Sequence, residues 1–556
     1  MTTTGQTIPQ AAQRTPKQAA GPSAWTSPLF AFLLLLFCGW ALSLPLFPTQ
    51  DGPMHKYYVH VIASLLSGSH VYDAYVIRHP LPPYAIHYGL LLGLTKFVSL
   101  DMAEKIFVCL IFIATAYCFR YCARALGPSG DLLSLCVVPL VLHWALVMGF
   151  LNYSLAVALF FLAAGLWIRG AAGRTGLWLP FFAVVVLLTL THPVPLLLLI
   201  AFCGLDLAIT LIQARGREGF SLKSYRWQLF GLMVACLSFL YPLAAADRSR
   251  SVSNLHTTAL HRDTIISSLV LFGISPFETR SKNVFIDAYR LGLYAILIGG
   301  IILAARGLVA RWRSGQLRPA DTMLFGAIGV LIAIPILPPA MNGSDYFAQR
   351  LMIFAWLGAL AAASGFAHPQ RLRRLAPGFA IVMTALALIP AETFFRPVAR
   401  QLSALEAQVL PIHTQGLAML DPAMLQAVRK RDQLGFNPYL WSAALPLIHS
   451  DDVMLNSPWL DLTIMPVKAV PGADLMVNAM PTPSEAERLI NGNINLSNLS
   501  PEVRERLLGS TRFIVLIATP QDITQEISDK GAPLVGTRRT AQATCASHEW
   551  YLVCTL

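Results

Sequence analysis

A recurring series of apolar runs, each close to the ~20 residues an α-helix needs to cross the hydrocarbon core of a bilayer, constrains this chain more than any other feature. The runs fall at 28–47, 103–125, 131–148, 150–169, 176–191, 193–213, 226–245, 287–307, 321–338, 348–366 and 377–393. Of the 556 residues, 55% are hydrophobic and 13% charged, against roughly a quarter charged in soluble domains. Segments of this kind cannot stay in water, so the expected fold is an all-α polytopic membrane bundle of eleven spans. Residues 1–24 form a polar, basic cytoplasmic tail. The run after them is of spanning length and lacks a small-residue cleavage pattern, so it reads as an uncleaved first helix.

The net charge of +12 raises nucleic acid or a membrane surface as partners, and the placement of Lys and Arg decides between them. Arg120 and Arg124, Arg169 and Arg174, Arg215, Arg217, Lys223 and Arg226, Arg306, Arg311, Arg313 and Arg318, and Arg371, Arg373 and Arg374 flank every second connection. The turns near 149–152 and 191–193 carry none. This is the positive-inside pattern. With Arg14 and Lys17 in the tail, it places the N-terminus in the cytoplasm and, for an odd number of spans, the C-terminus outside. Topology therefore accounts for the basic charge, and no nucleic-acid partner is expected.

The same alternation decides residues 81–99, which are apolar enough to span but would invert every later loop if they did. Pro80, Pro82 and Pro83 break the entry, and Tyr84, His87, Tyr88 and Lys96 suit a helix lying in the membrane interface. Residues 53–68 read as a second such helix. The first outer loop, 48–102, then holds two interfacial helices and a connector containing Asp73, Arg78 and His79. A second long outer loop, 246–286, exceeds ordinary loop length and suits a lid or acceptor platform.

Asp51, in Thr49-Gln50-Asp51-Gly52-Pro53-Met54-His55, closes the first apolar run. A carboxylate at a low-dielectric boundary is suited to taking a proton. Asp followed closely by Pro is also an ordinary helix start, so a cap for the helix from Pro53 is the competing role. Arg350 falls at the outer end of the 348–366 run, where its planar fork fits phosphate oxygens or simply anchors the helix at the interface. Arg78 and His79 are further phosphate candidates, with Asp73 as the neutraliser of Arg78. His55, one turn after Asp51, is a candidate to orient it or to touch phosphate. His192 lies between two apolar runs, where a polar group should face the bundle interior or an aqueous mouth. Asn152 reads first as a helix cap.

One span, a long outer loop opened by a carboxylate, a helix bundle and an outer C-terminal domain together resemble the C-type glycosyltransferase superfamily, over residues 25–393. The Asp-Gly-Pro-x-His run is similar to the loop start of uncharacterised bacterial members. Gly149-Phe150-Leu151-Asn152-Tyr153, Thr191-His192-Pro193 and Tyr346-Phe347-Ala348-Gln349-Arg350 sit where such proteins carry polar residues at outer helix ends. The resemblance implies transfer of a sugar from a polyprenyl-phosphate carrier to a glycan, lipid or protein acceptor, on the outer face of a plasma membrane, in cell-envelope synthesis. It implies Asp51 as general base, and His55, Asp73, Arg78, His79, Asn152, His192, Gln349 and Arg350 as substrate contacts. Many members have paired acids at the loop start; none adjoins Asp51, which leaves a divalent metal cofactor open. A single carboxylate favours inversion.

No metal-ligand spacing stands out among the histidines and cysteines. Seven of the nine cysteines fall in or beside apolar runs; Cys545 and Cys554 fall outside them and are a disulfide candidate. Composition shifts at 394, and residues 394–556 read as a small extracytoplasmic α/β domain, with 512–518 and 550–556 as strands. A polytopic transporter and a non-catalytic envelope-polysaccharide assembly protein are the alternative functions.

Overall fold

The computed structural model describes residues 26–69, 75–77, 83–215, 220–245, 274–277, 283–313, 316–337, 340–341, 344–365, 369–409, 444–448, 467–469, 513–516, 544–547 and 552–555. Asp73, Arg78 and His79, the tail 1–24 and most of the loop 246–286 lie outside the described residues.

Helix α1 (Thr26–Ser43) leads into α2 (Gly52–Leu66), strand β1 (Tyr75–Ile77), α3 (Ala85–Leu94) and α4 (Leu100–Leu126). The next run breaks into α5 (Gly130–Leu133), a 3-10 stretch over Ser134–Leu140 and α6 (Trp144–Val147). Pro139 lies inside that stretch and cannot donate to a helical ladder. His143 caps α6, its ring accepting from the Leu146 N–H. There follow α7 (Leu151–Ala171), α8 (Trp178–Thr191), α9 (Pro193–Arg215), α10 (Arg226–Ala245), α11 (Val284–Arg313), α12 (Pro319–Ala333), the hairpin of β2 (Ala340–Met341) and β3 (Ser344–Asp345), α13 (Phe347–Ala363) and α14 (Pro369–Val409). The chain continues with α15 (Ala444–Leu447) and strands β4 (Val467–Ala469), β5 (Phe513–Leu516), β6 (Thr544–Ser547) and β7 (Leu552–Thr555).

Eight helical segments among the described residues are long and apolar enough to cross a membrane, the architecture of a multi-pass membrane protein. The other three expected spans correspond to α8, α12 and α13, of 14, 15 and 17 residues. At 1.5 Å per residue these reach roughly 21 to 26 Å, short of the ~30 Å core. Polar side chains tie the bundle internally: Asp206 of α9 accepts from the Trp167 indole of α7 at 2.9 Å and the Thr322 hydroxyl of α12 at 3.3 Å.

Two helices do occupy the first outer loop, but α2 is not a surface helix. Every residue from Gly52 to Val59 is buried. Likewise α14 runs unbroken for 41 residues, where the sequence reads as a span ending at 393 before a separate domain.

The C-terminal region closes back on the first loop. Strand β4 pairs antiparallel with β1, Tyr75 opposite Ala469 and Ile77 opposite Val467. Ala444 and Leu445 of α15 are fully buried. The expected strands near 512–518 and 550–556 are β5 and β7, which join β6 in a sheet ordered β5-β7-β6. Register sets Cys545 opposite Cys554; their side chains, like most of 394–556, lie outside the described residues.

Candidate functional site

Asp51 is held by backbone. The Gln50 and Asp51 N–H groups donate to Val147 and Met148 carbonyls at 3.0 and 3.1 Å, lashing the start of the first loop to the end of α6. Gly149 makes this approach feasible: it adopts φ +88°, and a Cβ there would lie 2.7 Å from Asp51 Cβ. Lys105 of α4 steadies the entry, its ammonium donating to the carbonyls of Leu44 at 2.9 Å and of Leu42 and Pro45 at 3.4 Å. Asp51 precedes α2, yet its side chain makes no capping hydrogen bond and its backbone is already helical. The competing role as a cap is thereby set aside; the carboxylate is 8% exposed.

One turn on, His55 is saturated. Its Nε2 lies 3.1 Å from the Gly149 carbonyl, which can only accept, so Nε2 carries the proton. Nδ1, 2.8 Å from the Tyr88 hydroxyl, must then accept. Burial, against the Gly149 hydrogen bond, pushes the imidazole down to about 4. A neutral ring with both nitrogens engaged is a poor phosphate ligand, so the orienting role remains for His55. His87 packs edge-on to it at 4.7 Å and stacks on Phe107, fully buried, with neither ring nitrogen hydrogen-bonded.

The second half of the site comes from helix ends. The first turn of α13 brings in Arg350, 8% exposed, its guanidinium 3.7 Å from the centre of the Phe150 ring. The Tyr153 hydroxyl donates to the Arg350 carbonyl. His192, at the end of α8, stacks on Tyr84 and meets the Tyr153 ring edge-on. Its Nε2 is 3.1 Å from the Tyr84 oxygen. Burial pushes the Tyr84 phenol up while Arg350 and Asn152 beside it pull the other way, and the charge of Asp51 also bears on it. Burial and the Arg350 charge hold His192 well down, in its neutral form.

Several buried polar atoms here have no hydrogen-bond partner in the protein: Asn152 Nδ2, Arg350 Nε and Gln349 Oε1. Asn152 is not a cap, since Phe150 occupies that position. Behind the site, Lys56 binds Asp101 at 2.5 Å and lies 3.6 Å from Glu104, both on the first turn of α4. Burial opposes the Lys56 charge, but Glu104, Asp101 and Glu406 around it hold the ammonium above its ordinary range.

The fold gathers Asp51, His55, Asn152, His192 and Arg350 from segments up to three hundred residues apart, with Gln349 beside them. Sequence reading assigned Tyr84, His87 and Tyr88 to a membrane interface. All three are instead buried inside the protein. The available signal was their spacing: 84, 87 and 88 share one helical face with polar tips. Among the described residues no group of three His, Cys, Asp or Glu side chains is placed to hold a metal ion. Comparison of the chain with protein-family models and with curated proteins gives no match.

Proposed function

We propose that the protein is an inverting membrane glycosyltransferase that moves a sugar from a polyprenyl-phosphate carrier to an acceptor hydroxyl on the outer face of a plasma membrane. The observation that carries this reading is a buried carboxylate, Asp51, in one site with a buried guanidinium and amide whose Arg350 Nε and Asn152 Nδ2 lack protein partners. Buried donors left unmet are costly, and an anionic oxygen would satisfy them.

In a single displacement, Asp51 takes the proton of the acceptor hydroxyl while that oxygen attacks the anomeric carbon. The bond from that carbon to the carrier phosphate breaks, and its electron pair leaves on the phosphate oxygen. Arg350 and Asn152 then stabilise the charge that develops there. An apolar groove of about 340 Å³ between α9, α12 and α13 supports a lipid-linked donor. Its walls include Val194 and Phe347, close in sequence to His192 and Arg350.

Chain parity supports eleven crossings for the same reading. Asp51, Asn152, His192 and Arg350 meet in one place, so they share a side of the membrane. Between Asn152 and His192 the long helix α7 crosses, and α8 must return. Between His192 and Arg350, α9, α10 and α11 are of spanning length among the described residues, so with 246–286 kept on one side, as the sequence reads it, α12 crosses as well. Beyond Arg350, α14 is long and the chain comes back to pair with β1, so α13 must cross.

The test is turnover by purified protein in detergent, given a panel of polyprenyl-phosphate sugars and a crude envelope acceptor fraction. Wild type should release sugar from one donor, and Asp51→Asn should release none while retaining wild-type thermal stability. Activity surviving in that variant would remove Asp51 as base. Carrier binding without turnover in either protein would favour an assembly or transport role.

A further inference from the structure

The proton inventory around Tyr84 leaves one donor unassigned. The Val194 N–H donates to His192 Nδ1 at 3.2 Å, so Nδ1 holds a lone pair and not a proton. In a neutral imidazole the proton is then on Nε2, the atom 3.1 Å from the Tyr84 oxygen. His192 is therefore the donor in that bond and the phenol the acceptor. Arg350 and Asn152 also bear on the phenol oxygen, and the Asp51 charge bears on it less. A guanidinium has no acceptor at all, and the unmet atom of Asn152 is its Nδ2, again a donor. The hydroxyl's one hydrogen bond among the described residues is thus accepted from His192, and its own hydrogen is left for another acceptor. Tyr84 is 8% exposed, so bulk water is a poor substitute.

We infer that the Tyr84 hydroxyl donates to the ligand of this site, and that Tyr84 O–H, Asn152 Nδ2 and Arg350 Nε form a three-donor set for a phosphoryl group. His192 is then a positioning residue: its Nε2–H fixes the phenol oxygen and turns the hydroxyl hydrogen toward the ligand. Burial, which raises the phenol, keeps that hydrogen in place at working pH. The set contains only one formal charge, which matches the single charge of a phosphodiester such as a sugar-loaded carrier; the released monoester presents the same phosphoryl oxygens with a second ionisation at about pH 6. This assignment rests on the carrier-lipid reading and adds to it a residue that touches the carrier and one that aims it.

The experiment is equilibrium binding of undecaprenyl phosphate to purified full-length protein in detergent, with undecaprenol as the uncharged control. Wild type, Tyr84→Phe, His192→Gln and His192→Ala are compared after thermal melts have shown the folded fraction of each. Tyr84→Phe keeps the ring on His192 and removes only the donor. It should bind the phosphate lipid about 10- to 100-fold more weakly, the range for a buried hydrogen bond to a charged group, with undecaprenol binding unchanged. His192→Gln retains an N–H near the Nε2 position and should stay closer to wild type than His192→Ala. Equal affinity of wild type and Tyr84→Phe for the phosphate lipid would overturn the assignment alone. Wild type that does not discriminate phosphate lipid from alcohol would overturn the carrier-lipid reading and the assignment together.

Discussion

At the scale of single residues, the site is built from imidazoles that the fold keeps neutral. His55 titrates near 6.5 in the unfolded chain and at about 4 in the folded protein. The unfolded chain therefore binds the extra proton first, and the stability contributed by His55 is complete above roughly pH 6.5 and lost as pH falls toward 4. His87 and His192 are depressed for the same reason, burial, and act in the same sense. Thermal melts between pH 7.5 and 4.5 should show a steep loss of stability for wild type and a shallower one for His55→Gln, which keeps an amide donor toward Gly149. Parallel curves would show that His55 is not held neutral. The burial of Asp51 and Arg350 was legible in the sequence as two charges at the ends of apolar runs, which are costly there unless held by the fold. Tyr84 was not, because an aromatic with a polar tip beside prolines fits the membrane interface equally well. Only the end of α8, brought over it from more than a hundred residues away, gives it a different role.

The elements behave as clamps around the first loop. In one turn of α4, Lys105 holds the carbonyls at the end of α1 while Asp101 and Glu104 hold Lys56 of α2. A Cβ on Gly52 would collide with the Thr49 hydroxyl and lie 2.5 Å from Glu104 Oε1, so α2 starts as close to α4 as a chain can. Removing the ammonium with Lys56→Met leaves the buried Glu104 and the partly exposed Asp101 without their cation, a loss of up to about 3 kcal/mol. A lower melting temperature together with loss of activity is expected, whereas a melt like wild type would show that the pair adds nothing. Gly149→Ala is a finer probe. It strains a left-handed residue and pushes on Asp51, so kcat should fall more than KM changes, and a loss confined to KM would argue against the contact. The apolar pattern located most helices, since periodicity and length carry that signal. It could not show that the run 131–148 breaks at Pro139, because a buried 3-10 segment is as apolar as a span. Nor could it foresee α14 as one helix, its internal prolines reading as boundaries.

For the whole molecule, the proposed crossings agree with the placement of Lys and Arg: the starts of α2, α7 and α13 and the end of α8, which the proposal puts on one side, all fall at connections without clustered arginine. The consequence falls on the short helices. If α8, α12 and α13 cross with roughly 21 to 26 Å of helix, the bilayer thins there or the helix ends lie below its outer boundary, and Arg350 and His192 are reached from within the membrane rather than from above it. That location suits a substrate that arrives as a lipid. Labelling with a membrane-impermeant maleimide tests the arrangement, using single cysteines placed in a chain whose nine native cysteines are serine. Ser67→Cys, exposed after α2, should label in intact cells. Thr175→Cys and Gln316→Cys, exposed ahead of α8 and α12, should label only after permeabilisation. Two further positions read the short helices: Ser221→Cys, exposed after α9, should label like Thr175→Cys if α8 crosses, and Ile336→Cys, exposed after α12, should label in intact cells if α12 crosses. Were Ser221→Cys to label from outside, or Ile336→Cys only after permeabilisation, the corresponding short helix would not cross. His192 or Arg350 could then no longer share a compartment with Asp51 under the same long-helix crossings, and the site itself would have to be abandoned.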